Sequence, residues 1–578
     1  MARSPLFKRF QHLVALARLG RARGLDDPAA IRAVASTYRD DLKRRDVVTG
    51  MGSALALAAM PFAGCRGDDD PPAGDVRIAI VGGGIAGVLC AYRLEQGGAT
   101  VTLYEASDRL GGRMFTGRDL YPDGQVCELG GELIDTNHAT LWALSEEFSI
   151  QLDDRQAGPY AALEVETFWI DGAAVDDDTL LQQLVAVIGE IQADFDAAEN
   201  DDAAYAALDV ESLTDWLERR VPIAQYRELH VVLDVAYRGE YGLENDQQSA
   251  LNLIYLLGLD TDAFRIFGDS DERYHTHLGN DTFVTELAAR LSDGAVALEH
   301  RLVAATGEGP FELTFETPDG ELRVEADKVV FALPFSILRE VDTAGLALSD
   351  EKREIIDTIG YGTNAKVMAG FERPVWREDH GASGAVTTDL PFQQSWDTSL
   401  GQDGATAILT NFLGGQAGLD SAAGEPEDWV TTVLLPGLDE VHPGSAAAYR
   451  SGSAVRMHWP TVPTQKGSYT CYQPGQWAFW SLEGEPEGDL HFCGEHTSPD
   501  FQGWMEGGAE SGERVATEIL DELGLELPDA LLRRAALQRL LPPIPRSGRR
   551  NALRLLRARR EVYAAWGRAR RERLAARR

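Results

Sequence analysis

Two kinds of apolar pattern alternate from residue 76 onward. Short runs at 76–81, 99–104, 311–316 and 328–333 are continuously apolar or alternate with period two, and read as strands. Longer stretches at 177–222, 279–292 and 350–359 repeat apolar residues at helical spacing. The segment before residue 76 is patterned differently. Between Pro5 and Arg23, Leu6, Phe10, Leu13 and Leu19 stand among basic residues, as in a basic amphipathic helix for a membrane surface or an acidic body. The Gly/Ala-rich run Val47 to Ala63, 17 residues long, is short and weak for a membrane span. Arg66 to Asp75 is a polar, breaker-rich linker, so a domain begins after it. At the far end, Leu541-Pro542-Pro543-Ile544-Pro545 precedes an Arg-rich helix predicted from Asn551 onward. No internal repeat is visible.

At 578 residues the chain is long enough for two or three domains with a sizeable core. Its net charge of -38 argues against nucleic acid as a partner, because phosphate binding needs a basic surface. The charge is unevenly spread. Residues 1–66 carry +7 and residues 531–578, with 16 Arg, carry +14, so residues 67–530 carry -59. Such a body is either a solvated acidic surface, as in salt adaptation, or a field that steers cationic substrates. Five scattered cysteines (65, 90, 127, 471 and 493) form neither a zinc motif nor a disulfide framework.

The chemistry begins at Val76–Val81, which runs directly into Gly82-Gly83-Gly84-Ile85-Ala86-Gly87 and then a helical stretch. A second strand, Val101–Tyr104, ends in Glu105. In this GxGxxG pattern Gly82 permits a tight turn, Gly84 admits a pyrophosphate, and Gly87 allows close helix–strand packing. Glu105 is placed for ribose hydroxyls. NAD, NADP and FAD all fit these residues. The motifs that follow select FAD: Arg109-Leu110-Gly111-Gly112-Arg113, with a guanidinium suited to phosphate oxygens, then Glu128-Leu129-Gly130-Gly131-Glu132, Cys493-Gly494-Glu495-His496-Thr497, and Gly503-Trp504-Met505-Glu506-Gly507-Gly508.

Across about residues 76–525 these motifs resemble the flavin-containing amine oxidase family, which includes monoamine, polyamine and L-amino-acid oxidases. The resemblance implies that Glu495 binds the ribityl side of FAD, that Met505 lies near the isoalloxazine, and that the Val303 backbone holds adenine. Gly130 and Gly131 belong to the same cofactor set. Lys366, one of only four lysines between residues 67 and 530, matches the lysine that holds a water at flavin N5. Lys328 and Lys352 read as surface positions. Tyr469 and Trp504 match the two walls of an aromatic cage that orients an amine. Ser468 stands where monoamine oxidases carry the cysteine linked to FAD, so the cofactor is expected to be noncovalent.

Substrate choice turns on Glu132-Leu133-Ile134-Asp135, where some L-amino-acid oxidases place a carboxylate-clamping arginine. This chain has two acids there, and in polyamine oxidases an acid at the Asp135 position faces a distal ammonium. An amine or polyamine is therefore preferred, with O₂ as co-substrate. An L-amino-acid oxidase, for example one for basic amino acids with Arg238 or Arg273 as clamp, is the alternative. A desaturase acting on a non-amine and a non-catalytic FAD-binding scaffold remain open.

The expected fold is α/β (α+β): a Rossmann-like FAD domain from 76–135, 270–345 and 484–525, and a substrate domain from 136–269 and 346–483 with a mixed or antiparallel sheet. Residues 526–578 form a tail of no assigned role. Lys43-Arg44-Arg45-Asp46-Val47-Val48 ahead of the apolar run looks like a twin-arginine export signal ending in a lipoprotein-type Cys65. An ordinary helix in a cytoplasmic protein is the alternative. Membrane association through the leader, Cys65 or the basic tail, and oligomerisation, are further expectations.

Overall fold

A computed structural model describes residues 76–257, 271–544 and 552–577. The leader, the twin-arginine stretch, Cys65 and the linker lie outside these residues. The first apolar run forms β1 (Ile78–Val81), buried along its whole length, and Gly84 opens helix α1 (Ile85–Gln96). With β2 (Val101–Tyr104), β3 (Val296–Ala297), β4 (Lys328–Phe331) and β5 (Leu490–Phe492), β1 makes a five-stranded sheet in the order β5-β4-β1-β2-β3. All its neighbours pair in parallel. Parallel pairing with both faces covered explains why these strands read as apolar runs rather than alternating ones. Helix α2 (Met505–Glu522) packs along α1, and Gly512 of α2 touches the backbone of Ala86.

A four-stranded sheet, in which Phe311–Thr317 pairs on both sides, flanks this layer. The second large body is a seven-stranded sheet with the hairpin Thr167–Ile170/Ala173–Val175 at one edge and Val455–His458 at the other. Within it, Ala365–Phe371 pairs antiparallel with Ala407–Leu413 and Val455–His458, and every residue of Ala365–Phe371 is buried. Helix Arg227–Tyr241 packs against its strands Thr167–Ile170 and Val386–Thr388, and helix Asp177–Asn200 packs on that helix. The architecture is the mixed helix and sheet expected from the sequence. Cys90, Cys127, Cys471 and Cys493 are buried thiols.

Candidate active site

At the carboxyl ends of β1 and β2 a cleft opens, lined by Gly82–Ala86 and Glu105 and, from the second body, by Pro463, Thr464 and Gln465. Gly82 turns the chain at φ +110°, a conformation that glycine adopts without steric cost. No atom lies within 4 Å of the Cβ side of Gly84, so that backbone faces open cleft. Helix α1 starts there with neither a side-chain cap nor an acid in its first turn. The unsatisfied N–H groups and positive end of the helix therefore suit a pyrophosphate. Gly87 lies behind the cleft, where a side chain would overlap the Gly82 carbonyl. Glu105 lines the cleft, accepting from Gly83 N–H at 2.6 Å and from Ser107 N–H at 2.8 Å.

Farther along, Arg113 donates to Glu495 at 2.8 Å and to the Ser468 carbonyl at 2.7 Å. Glu495 also accepts from Gly503 N–H at 2.7 Å and from Thr470. This network ties the 468–470 segment, α2 and the Arg113 loop around one wall. Trp504 and Met505, at the start of α2, are buried and face the same space. At the opposite end Arg301 and Leu302 contribute, while Val303 sits at a bulge: Leu302 pairs with Phe315 and Ala304 with Thr314, skipping it. The cradle of glycine backbone, uncapped helix, ribose-side acid and bulged strand fits FAD.

Of the residues expected around the amine, only Trp504 lines this cleft. Lys366 projects from Ala365–Phe371, the strand next to the Val455–His458 edge of the seven-stranded sheet, and is 1% exposed. Its ammonium donates to the carbonyls of Glu128 and Gly130, both at 2.9 Å, and to Glu132 Oε2 at 2.8 Å. Glu132 also accepts from the Trp396 indole at 3.0 Å and from Thr398 at 3.2 Å. Burial opposes ionisation of Glu132, but Lys366, Arg155 and these hydrogen bonds outweigh it and hold the carboxyl below its ordinary value. Gly131 N–H donates to the Arg113 carbonyl at 3.0 Å, and the close approach of Gly130 to that carbonyl leaves no room for a side chain. Tyr469 is buried against Trp459, with its hydroxyl donating to the Gly239 carbonyl at 3.1 Å. Ser468 donates to Asn364 Oδ1 at 2.5 Å.

The sequence profile of the flavin containing amine oxidoreductases matches residues 85–520. The chain belongs to that family. It is accordingly a flavin-dependent oxidoreductase acting on amines. It is 25% identical to the L-amino-acid oxidase of Mus musculus, over 78% of this chain and 71% of that protein. It is 24% identical to flavin-containing amine oxidase A of Equus caballus, over 77% of this chain and 85% of the relative. Cyclohexylamine oxidase from Brevibacterium oxydans IH-35A shares the fold, with a TM-score of 0.67 at 23% identity, over 78% of this chain and all of that one.

Against this family background several expected roles change. Asp135 does not face the cleft. Its Oδ1 accepts the backbone N–H groups of Asp271 at 3.1 Å and Glu272 at 2.5 Å, and its other oxygen lies 3.5 Å from His138 Nε2. Glu132 is likewise internal, serving as counter-ion to Lys366. Lys366 itself has three donors, all spent on protein acceptors, so none is left over for the water expected of it. Lys352 is not a surface residue either. It is 2% exposed and donates to the carbonyls of Leu482, Glu483 and Glu485, and burial pushes its ammonium down to about 8. Lys328 is buried too, paired with Asp489 and Glu522. Trp396 and Thr398, which orient Glu132, escaped sequence reasoning because nothing local distinguishes them from other strand residues.

Proposed function

We propose that this protein oxidises a primary amine or polyamine, using noncovalently held FAD and O₂ and releasing H₂O₂. One observation carries the choice of amine over amino acid: both arginines that could clamp a carboxylate are already committed. Arg273 makes a two-pronged pair with Asp154, at 2.8 and 2.7 Å, and Arg238 pairs with Asp234 and, at 3.1 Å, with Glu244. Residues 132–135 contain no arginine. Both guanidinium groups are half-buried, and withdrawing either from its carboxylate would leave that acid unpaired.

Bound FAD supplies a two-electron acceptor for hydride from the amine α-carbon. The protein's part is positional: Gly82–Gly87, Glu105 and the Val303 backbone hold the nucleotide half, while Arg113 and Glu495 fix the wall beside the ribityl chain. Trp504 and Tyr469 confine the amine and align its C–H bond. With the amine bound neutral, no strong general base is required, and the imine product hydrolyses in water. The acidic body, -59 over residues 67–530, raises the local concentration of cationic amines. Ser468 cannot form a thioether, which supports noncovalent FAD; acid precipitation should leave the flavin in the supernatant, and flavin retained in the pellet would refute this.

A peroxide-coupled panel of putrescine, spermidine, tyramine and the common amino acids tests the substrate reading. Turnover of amines is expected. Turnover of neutral amino acids with none of amines would establish an L-amino-acid oxidase instead. Export through Arg44-Arg45 is part of the same proposal and rests on the sequence pattern alone. Replacing both arginines by lysine should retain the protein in the cytoplasm, and unchanged fractionation would remove that role.

A further inference from the structure

The Arg-rich tail lies beyond the family match, yet its helix α3 (Ala552–Arg577) docks on the body through a continuous buried stripe. Leu556, Arg559, Tyr563, Gly567 and Arg570 recur at spacings of three and four and all face inward. Two of these five are arginines, and each meets an acid. Arg559 makes a two-pronged pair with Asp500, at 2.7 and 2.6 Å, and both partners are buried. Arg570 reaches Glu146 at 2.6 Å, with its guanidinium 4.2 Å above the Trp142 ring. Asp500 stands four residues before Trp504.

The contacts converge on that tryptophan from two sides. Trp504, Phe501, Leu541 and Tyr563 form one buried cluster, and Phe501 and Tyr563 meet edge-on at 4.7 Å. On the other side the Gly567 backbone lies against Asn137, beside His138, whose ring meets Trp504 edge-on at 5.1 Å. Trp504 lines the cleft and is 5% exposed, so any void behind it lets the ring shift out of alignment.

We propose that the C-terminal arm sets the position of Trp504, with Tyr563 as the positioning residue that backs it and Arg559 as the anchor that holds Tyr563 in place. The effect on amine binding rests on the reading of Trp504 as a cage wall; the contact with Trp504 does not. Because an aromatic wall works by placement, a displaced ring weakens its hold on the bound amine without removing any group that touches the reacting atoms.

A double-mutant cycle in the full-length, FAD-loaded protein tests this. Tyr563→Ala should raise the amine KM about tenfold with a smaller change in kcat. Tyr563→Phe keeps the ring and should restore KM to within about twofold. In a Trp504→Ala background, Tyr563→Ala should add nothing. Equal KM increases in both backgrounds would overturn the proposal, as would failure of Phe to rescue. Visible-region circular dichroism of the bound flavin gives a readout independent of turnover: Tyr563→Ala should alter the band only while Trp504 is present. Loss of amine turnover in the wild type would thus sink the amine reading and leave the positioning test intact. If Tyr563→Ala does not fold, Leu541→Ala in the same cycle carries the same expected and overturning outcomes.

Discussion

The nucleotide cleft and the region around Lys366 are built on opposite plans. At the nucleotide end, recognition comes from backbone that is left open: a glycine turn, a helix start without a cap and a bulged strand. Around Lys366, the polar side chains have their hydrogen-bonding capacity spent inside the protein. Lys366 and Glu132 satisfy each other, Asp135 holds the 271–272 backbone, and Arg273 holds Asp154. The first is shaped to receive charge, whereas the second is internally neutralised.

The largest expected effect breaks the nucleotide end. Gly87→Val should yield protein without flavin, seen as loss of visible absorbance in the purified chain, because the side chain would collide with the Gly82 carbonyl. In the second region, Glu132→Gln strands the Lys366 charge in the interior and should cost about 3–5 kcal/mol in urea unfolding of the holoenzyme. Pairing it with Lys366→Met should recover most of that loss, and an additive double variant would contradict the neutralised-pair picture. Lys366→Met alone should leave reoxidation of the reduced flavin by O₂ unchanged in stopped flow, because the three donors of Lys366 are spent on Glu128, Gly130 and Glu132; slowed reoxidation would restore a role at the flavin. A smaller effect follows from Glu105→Ala, which removes an acceptor at the ribose side and should weaken FAD by about 1.5–3 kcal/mol, roughly 10- to 100-fold in Kd by titration.

The smallest effect is a matter of pH. Burial, reinforced by the neighbouring Glu132 carboxylate, pushes the Glu128 carboxyl up from 4.5 to about 8. The folded chain therefore holds this proton more tightly than the unfolded chain. Its stabilising contribution is complete below 4.5 and is lost as pH rises toward 8. Glu128→Gln can still accept from Asn280 N–H and donate to Thr116, so it should flatten the fall in stability across that window. A stability–pH curve with unchanged slope would show that Glu128 does not titrate there.

What could be read from the chain divides along the same line. The glycine loop is legible because its function is local: turn, close approach and helix start occupy six consecutive residues. Strands β1, β2 and β4 were legible because burial on both faces demands unbroken apolar runs. The partners of Lys366 were not, since Glu132, Trp396 and Thr398 meet it only through tertiary folding. Lys352 was misjudged for the same reason, as three carbonyls from residues 482–485 enclose it. The arginine tail showed itself only as charge; that it faces inward depends on Asp500 and Glu146, more than 50 and 400 residues away from Arg559 and Arg570 respectively.

The strand order of the parallel sheet bears on how the protein is made. β1 lies between β2 and β4, and β4 is completed only by β5, at residues 490–492. During synthesis the glycine loop leaves the ribosome early, but the sheet beneath it cannot close until nearly the whole chain has followed. Such distant strand pairing makes closure slow and leaves an apolar edge exposed in the interval. Flavin capture is therefore expected only after β5 has been made, late in maturation.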